Sequence, residues 1–420
     1  MKDDRVRPDN AAPSGPGGLG GTAFQRSDNE SSVKSPLAAD VFASKPPVRL
    51  FLMVNTLETG GSERQYTVLA QNLIASQFDI HLGCVSRRGP LAHNFPDAAQ
   101  FPLGGSLFGW RSLKTRLKLC RHLRERKVQV AHAFDFYANL TMIPAAKLAR
   151  VPLVIGSHRQ LGDLMTSSQF RAQTQAFRWC DAVVCNSQAA ADRLISAGLD
   201  RDKIAIIGNA LPAEVFITVP AGLPKASGVI RVGMVARMNH RYKNHSGFLR
   251  IAAQIRRQLP NTEFVLVGDG PLREELEREA SSLGLGGSVI FLGDRQDMPP
   301  VLASIDVAVN TSDSESLSNV ILEAMAAGLP TVAYNVGGNS ELIGGAAAGS
   351  ERGFLIPAGD ETAFAQAVTT LLSDGVLRHR QGSNARQFAQ EKFSLNRVLQ
   401  GYADLYRKLL ARKLGSDSAA

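Results

Sequence analysis

The sequence predicts an α/β molecule built from two parallel-sheet domains, and three observations carry the prediction. Apolar runs of strand length alternate with helix-length amphipathic stretches, the pattern of parallel sheets covered by helices. The alternation comes in two series separated by a proline-containing gap. At 420 residues the chain also exceeds what one core usually serves. The expected organisation is a disordered leader over 1–46, a first domain over 47–212, a linker over 213–228, a second domain over 229–395, and a helix over 396–412 that crosses back to the first domain.

Bulk properties narrow the class. Hydrophobic content of 44% and charged content of 20% are ordinary for a globular protein. No apolar run approaches the ~18 residues of a spanning helix, and the N-terminus lacks an apolar signal core, so a cytoplasmic location is expected. Cys84, Cys120, Cys180 and Cys185 form no C-x-x-C pair, which predicts reduced structural thiols and no zinc site. The net charge of +9 invites an anionic partner. No nucleic-acid motif accompanies it, so nucleic acid is not expected.

Residues 1–46 are rich in Pro, Gly, Ser, Asp and Asn and have too little apolar material to offset the entropy of ordering. Order is expected to begin with an apolar strand over 47–55. A turn containing Gly60 and Gly61 follows, then a helix carrying Tyr66, Leu69 and Leu73. The paired glycines let backbone approach a ligand at a helix start. Further strands are expected at 78–85, 128–134, 153–157, 182–186 and 204–208. His132, Ser157, His158, Arg159, Asn186, Ser187 and Asn209 fall at or near strand ends, where ligands bind in open parallel sheets. The small polar residues among them serve equally well as helix caps, and Arg159 is suited to an anionic acceptor or a phosphate.

Between these strands, residues 111–127 place Leu113, Leu117, Cys120 and Leu123 near one helix face, with a basic remainder. Two readings stand: a helix packed on the sheet with a solvated exterior, or contact with an anionic membrane surface. After the linker, the second series predicts strands at 230–236, 263–268, 289–292, 306–310, 331–335 and 353–356.

The most informative stretch is Ser312 to Pro330. Polar residues through Ser316 offer caps, residues 319–327 are good helix formers, and Gly328 with Pro330 is a stop signal. The amides of Leu317 and Ser318 are expected at the helix start, where backbone N–H groups favour phosphate. Glu323 leans back toward the same point. Upstream, Arg237 ends a strand and Lys243 stands at the next helix start, so two cations would meet a helix N-terminus there.

Seven residues separate Glu315 from Glu323. In this context the stretch resembles the E-x7-E signature of retaining glycosyltransferases of the GT-B fold, above all family 4. The resemblance spans residues 48–410 and is most specific in the second half. It implies two Rossmann-like domains facing across a cleft, and transfer of a sugar from a UDP- or GDP-sugar to a hydroxyl of a glycan or lipid-linked acceptor. It assigns Glu323 to the ribose, Glu315 to the donor sugar, and Arg237 and Lys243 to the diphosphate. Gly268 and Gly270 match the family's Gly-x-Gly-Pro turn, giving the nucleotide room. Gly60 and Gly61 match its first loop, Gly337 and Gly338 a loop near the donor, and His132 a histidine that faces the transferred sugar. Residues 293–297 would line the base, and Glu341 is read as a cap or scaffold acid. No metal or other cofactor is implied. A sugar-nucleotide epimerase or hydrolase on the same fold, or a non-catalytic nucleotide- or glycan-binding scaffold, is the alternative.

Overall fold

Consecutive strands separated by helices cannot pair as hairpins, so each crosses over and lies parallel to a neighbour. In the computed structural model the described residues are 46–416, except 76, 108, 346 and 347. The expected leader therefore lies outside them, save for Pro46. Residues from Pro47 onward form one compact unit.

The first domain contains β1 (Val48–Val54), α1 (Gly61–Asn72), β2 (Phe78–Cys84), β3 (Ala99–Gln100), α2 (Trp110–Glu125), β4 (Val130–Ala133), α3 (Phe136–Leu148), β5 (Leu153–His158), α4 (Ser167–Phe177), β6 (Ala182–Cys185), α5 (Gln188–Ser196) and β7 (Ile204–Ile206). All pairs are parallel, in the order β3-β2-β1-β4-β5-β6-β7. Leu50 stands level with Ile80 on one side and Val130 on the other. Apolar side chains on both sheet faces account for the near-continuous hydrophobic strands.

The second domain comprises β8 (Ile230–Val235), α6 (His245–Gln258), β9 (Thr262–Val267), α7 (Arg273–Ser282), β10 (Val289–Phe291), α8 (Met298–Leu302), β11 (Val307–Asn310), α9 (Asn319–Ala326), β12 (Thr331–Tyr334), α10 (Asn339–Ile343), β13 (Gly353–Ile356), α11 (Glu361–Ser373) and α12 (Gly375–Phe393). Its sheet runs β10-β9-β8-β11-β12-β13, again parallel throughout. Each sheet reverses its strand order once, between β1 and β4 and between β8 and β11, which creates the crevices where ligands bind.

The chain passes between domains twice, and the two passages touch. Leu211 donates its N–H to Phe393 O at 2.8 Å, just where α12 ends and α13 (Leu395–Ser416) begins. α13 lies on the first domain, with Val398, Tyr402, Ala403, Tyr406 and Leu410 buried in the cluster that holds Leu50, Phe78 and Val130. All four cysteines are free and buried. Among the described residues no helix is long and apolar enough to cross a membrane.

The basic helix α2 departs from its expected orientation. Cys120 and Leu123 face the core together with Ser112, Thr115 and Leu119. Leu113 and Leu117 face outward, 46% and 50% exposed. The buried arc is filled instead by small polar side chains whose hydroxyls bond backbone carbonyls, Ser112 to Leu103 at 2.8 Å and Thr115 to Pro102 at 2.6 Å.

Candidate active site

The second sheet's switch point places two loops side by side. One follows β8 and carries Arg237 and Lys243; the other follows β11 and carries residues 311–318. Their backbones are joined by Asp313 N to Tyr242 O at 2.8 Å, and Thr311 Oγ1 donates to Asn244 O at 2.9 Å. Asn244 adopts a left-handed conformation (φ 55°) and caps α6 through Gly247 N at 3.0 Å, which turns the chain sharply beside Lys243. As a result Lys243 Nζ meets Glu315 Oε1 at 2.7 Å, and Asn310 Nδ2 reaches the same oxygen at 3.3 Å. Both members of this pair are largely withdrawn from solvent, which strengthens their attraction.

A neighbouring loop holds Glu315 from behind. Gly338 N donates to Glu315 O at 3.1 Å, and Gly337 sits at φ +49° so close to the same carbonyl that any Cβ would collide with it. The sequence pairing of Gly337 and Gly338 with the donor loop therefore has a backbone cause. Gly268 has a backbone task of its own. At φ +130° its missing Cβ leaves room for Ala236 O. Gly268 and Gly270 let the loop after β9 close onto residues 236–238, so they act on Arg237 by positioning its backbone.

α9 starts at Asn319, and Ser318 at its N-cap makes no capping bond. The Ser318 hydroxyl instead accepts from Asn310 Nδ2 at 3.2 Å. Leu317 turns its side chain into the core with Leu211 and Ile321. An uncapped helix N-terminus with Lys243 and Arg237 in the neighbouring loop makes a wall suited to anions. Among the described residues no cluster of three or more metal-type ligands occurs.

The first domain supplies the opposite wall. Gly60 and Gly61 open α1, and Asn319 Nδ2 stands 3.1 Å from where a Gly61 Cβ would be. Arg237 crosses to the Thr59 hydroxyl. Arg64, one turn into α1, reaches Glu323 Oε1 at 3.3 Å. Burial pushes the Glu323 carboxyl above its usual range, while the Arg64 guanidinium pulls it back. Further along, Ser316 donates to Asn186 Oδ1 at 2.7 Å, and Asn209 Nδ2 to Asn319 Oδ1 at 2.6 Å. Glu341 accepts the Gln188 and Ala189 amides at 2.9 and 3.0 Å. It thus caps a helix, but one belonging to the other domain.

One expectation for the first domain needs correction. His132 does not face a sugar: it is fully buried in mid-strand, with Nδ1 2.7 Å from Tyr406 Oη and Nε2 2.7 Å from Ser157 Oγ. Desolvation, reinforced by Arg159, holds its pKa down to about 3, so the ring is neutral and serves as a structural joint to α13. Arg159 is likewise engaged, bonding Asn209 Oδ1 and, at 3.3 Å, Tyr402 Oη.

Sequence reasoning missed Asp135, at the first sheet's switch point. Its Oδ2 accepts from Asn55 N at 2.6 Å and its Oδ1 from Ala138 N at 3.1 Å, tying the ends of β1 and β4 together. Burial raises its pKa to about 7 against the pull of those amides, and Glu63 adds to the rise. The available signal was an Asp directly after a strand and before a helix. Arg64 carried no such signal, because its partner is distant in sequence.

Two parallel sheets facing across a cleft, with cations and a helix N-terminus on one wall and a glycine-opened helix on the other, define the GT-B class of glycosyltransferases. The chain belongs to glycosyltransferase family 4: residues 59–215 match the model "Glycosyltransferase Family 4", and residues 230–374 match "Glycosyl transferases group 1". Lipopolysaccharide core biosynthesis glycosyltransferase LpsE of Rhizobium meliloti is 31% identical over 254 residues, 60% of this chain and 69% of that protein. The UDP-Gal:alpha-D-GlcNAc-diphosphoundecaprenol alpha-1,3-galactosyltransferase of Escherichia coli is 28% identical over 359 residues, 80% of this chain and 91% of the relative. Among solved structures, Anabaena HepE in complex with UDP superposes with a TM-score of 0.73 at 22% identity, covering 86% of this chain and 100% of HepE.

Proposed function

We propose that this glycosyltransferase moves a hexose, with retention of anomeric configuration, from a UDP- or GDP-sugar to a hydroxyl of a glycan or lipid-linked intermediate in polysaccharide assembly. The observation that carries the reading is the meeting of Lys243, Glu315 and the start of α9 through Asn310, with Arg237 in the loop that carries Lys243 and Glu323 one turn along α9. The names of LpsE and of the E. coli galactosyltransferase support the pathway class. The latter also supports a uridine donor and a polyprenyl-diphosphate-linked acceptor.

The donor diphosphate lies against Arg237, Lys243 and the amides at the start of α9, whose positive charge replaces that of a metal as the leaving group separates. The Glu323 carboxylate accepts from ribose hydroxyls, releasing Arg64. Lys243 exchanges part of its bond with Glu315 for phosphate, which leaves Glu315 to orient the sugar's hydroxyls. The bond from the anomeric carbon to the diphosphate oxygen breaks, and the acceptor oxygen bonds to the same face of that carbon. The acceptor's proton passes to the departing phosphate oxygen, so no side-chain base is required.

Calorimetric titration with UDP and with GDP tests the site. Glu323→Ala is expected to weaken nucleotide binding roughly 10–100-fold, the value of a hydrogen bond to a charged group. Lys243→Ala is expected to reduce both binding and turnover. Unchanged titrations in both variants would remove the site assignment, and an inverted anomeric proton signal in the product would remove retention.

A further inference from the structure

Asn310, the last residue of β11, is almost fully buried, and its side-chain amide is engaged through both of its ends. Oδ1 accepts from Ser312 N at 3.1 Å, while Nδ2 donates to Glu315 Oε1 at 3.3 Å and to Ser318 Oγ at 3.2 Å. The bond to Ser312 shapes the turn after the strand. The bonds from Nδ2 reach the acid beside Lys243 and the residue that begins α9.

Ser318 does not do what its position favours. Its carbonyl accepts from Leu322 N at 3.1 Å, so it is the N-cap of α9, where a serine hydroxyl ordinarily accepts from the second or third amide of the helix, here that of Val320 or Ile321. Ser187 does so for α5, accepting from Ala190 N at 3.1 Å. Ser318 makes no such bond, and its hydroxyl meets Asn310 instead. The next polar side chain is also held elsewhere, since Asn319 Oδ1 accepts from Asn209 Nδ2 at 2.6 Å. The first turn of α9 is thereby left without a side-chain cap.

We propose that Asn310 is a positioning residue for the transfer reaction: it keeps the start of α9 open to the donor diphosphate by holding the Ser318 hydroxyl off the helix, and it holds Glu315 while Lys243 turns to phosphate. Ser318 already stands at the N-cap with extended backbone, so a hydroxyl released from Asn310 has the α9 amides within its ordinary reach. A phosphate arriving at a capped helix must first displace that bond. Lys243 is shared between Glu315 and the phosphate, whereas the bond from Asn310 Nδ2 to Glu315 Oε1 has no such competitor. A neutral amide suits both tasks, because it donates to a carboxylate and a hydroxyl at once without adding charge beside the diphosphate. The competing account makes Asn310 a turn residue alone, which requires only its bond to Ser312 N. The inference rests on reading the start of α9 as part of the donor phosphate site.

The test is a double-substitution cycle in the full chain, read by calorimetric titration with UDP and with GDP. Asn310→Ala is expected to weaken binding of the nucleotide about fivefold, the value of one N-cap bond that phosphate must then displace. Combining it with Ser318→Ala removes the competing hydroxyl, so most of the loss is expected to vanish when the pair is compared with Ser318→Ala alone. Losses that simply add would overturn the proposal. Asn310→Ser retains a turn acceptor for Ser312 N on a side chain too short to reach Ser318, and is expected to weaken binding as Asn310→Ala does. Wild-type affinity in that variant would assign Asn310 to the turn alone. A crystal structure of unliganded Asn310→Ala supplies a reading free of nucleotide: Ser318 Oγ is expected within hydrogen-bond distance of Val320 N or Ile321 N, and a hydroxyl that keeps its wild-type place would overturn the proposal. Failure of wild type to bind either nucleotide would count against the donor reading, with the crystal comparison still deciding what Asn310 does to Ser318.

Discussion

His132 within β4 and Asp135 just beyond it stand three residues apart, and burial acts on them in opposite directions. Each is driven toward its neutral form: the imidazole down to about 3, the carboxyl up to about 7. The Asp135 shift has a calculable sign. Its folded pKa lies above the usual carboxylate value, so its stabilising contribution is complete below pH ~4 and is lost as pH rises through about 7. Urea unfolding between these limits is expected to show stability falling with pH, by at most about 4 kcal/mol from this group. Asp135→Asn is expected to flatten that slope while costing about 1 kcal/mol through one lost acceptor. At His132 the informative change is in its partner. Tyr406→Phe leaves the ring nitrogen unpaired in a dry site and is expected to cost about 1–3 kcal/mol in thermal or urea unfolding, with UDP affinity unchanged.

At the scale of elements, the contact between Glu341 and α5 joins the domains beside the loop that carries Glu315 and Ser316. A carboxylate on a helix N-terminus is favourable both as a cap and against the helix dipole. Glu341→Ala is expected to lose about 1 kcal/mol of that clasp, raising the open population about fivefold. Small-angle scattering should register a larger radius of gyration, and the acceptor KM should rise more than the donor Kd. The same elements show what the sequence made legible. Periodicity located six of the seven strands of the first sheet and all six of the second, and missed only β3, whose two residues are too few to carry a period. In the candidate site, Lys243 and Glu315 meet because the loops after β8 and β11 lie side by side, while Arg237 and Glu323 reach Thr59 and Arg64 of the first domain. His132 was misjudged because strand position does not reveal which face a residue takes once both faces are buried. Leu113 and Leu117 were misjudged because helical spacing alone cannot tell an inward stripe from an outward one.

The whole molecule is closed by α13, which leaves the second domain at Ser394 and ends in the core of the first. Tyr402 and Tyr406 are fully buried there, and Tyr406 completes the bonding of His132. Deletion of residues 395–416 is expected to expose Leu50, Phe78 and Val130, measurable as dye binding to apolar surface and a lower unfolding midpoint for the first domain. Each half of the molecule thus depends on the paired passages at Leu211 and Phe393, which limit relative motion to a hinge of two adjacent strands of chain. Synthesis on the ribosome adds a further consequence. The first domain emerges early, but the segment that seals its core is made only after the entire second domain, a delay on the order of ten seconds or more at ~5–20 residues per second. During that interval an incomplete apolar face waits for its last helix, which makes this region the one most in need of protection in the nascent chain.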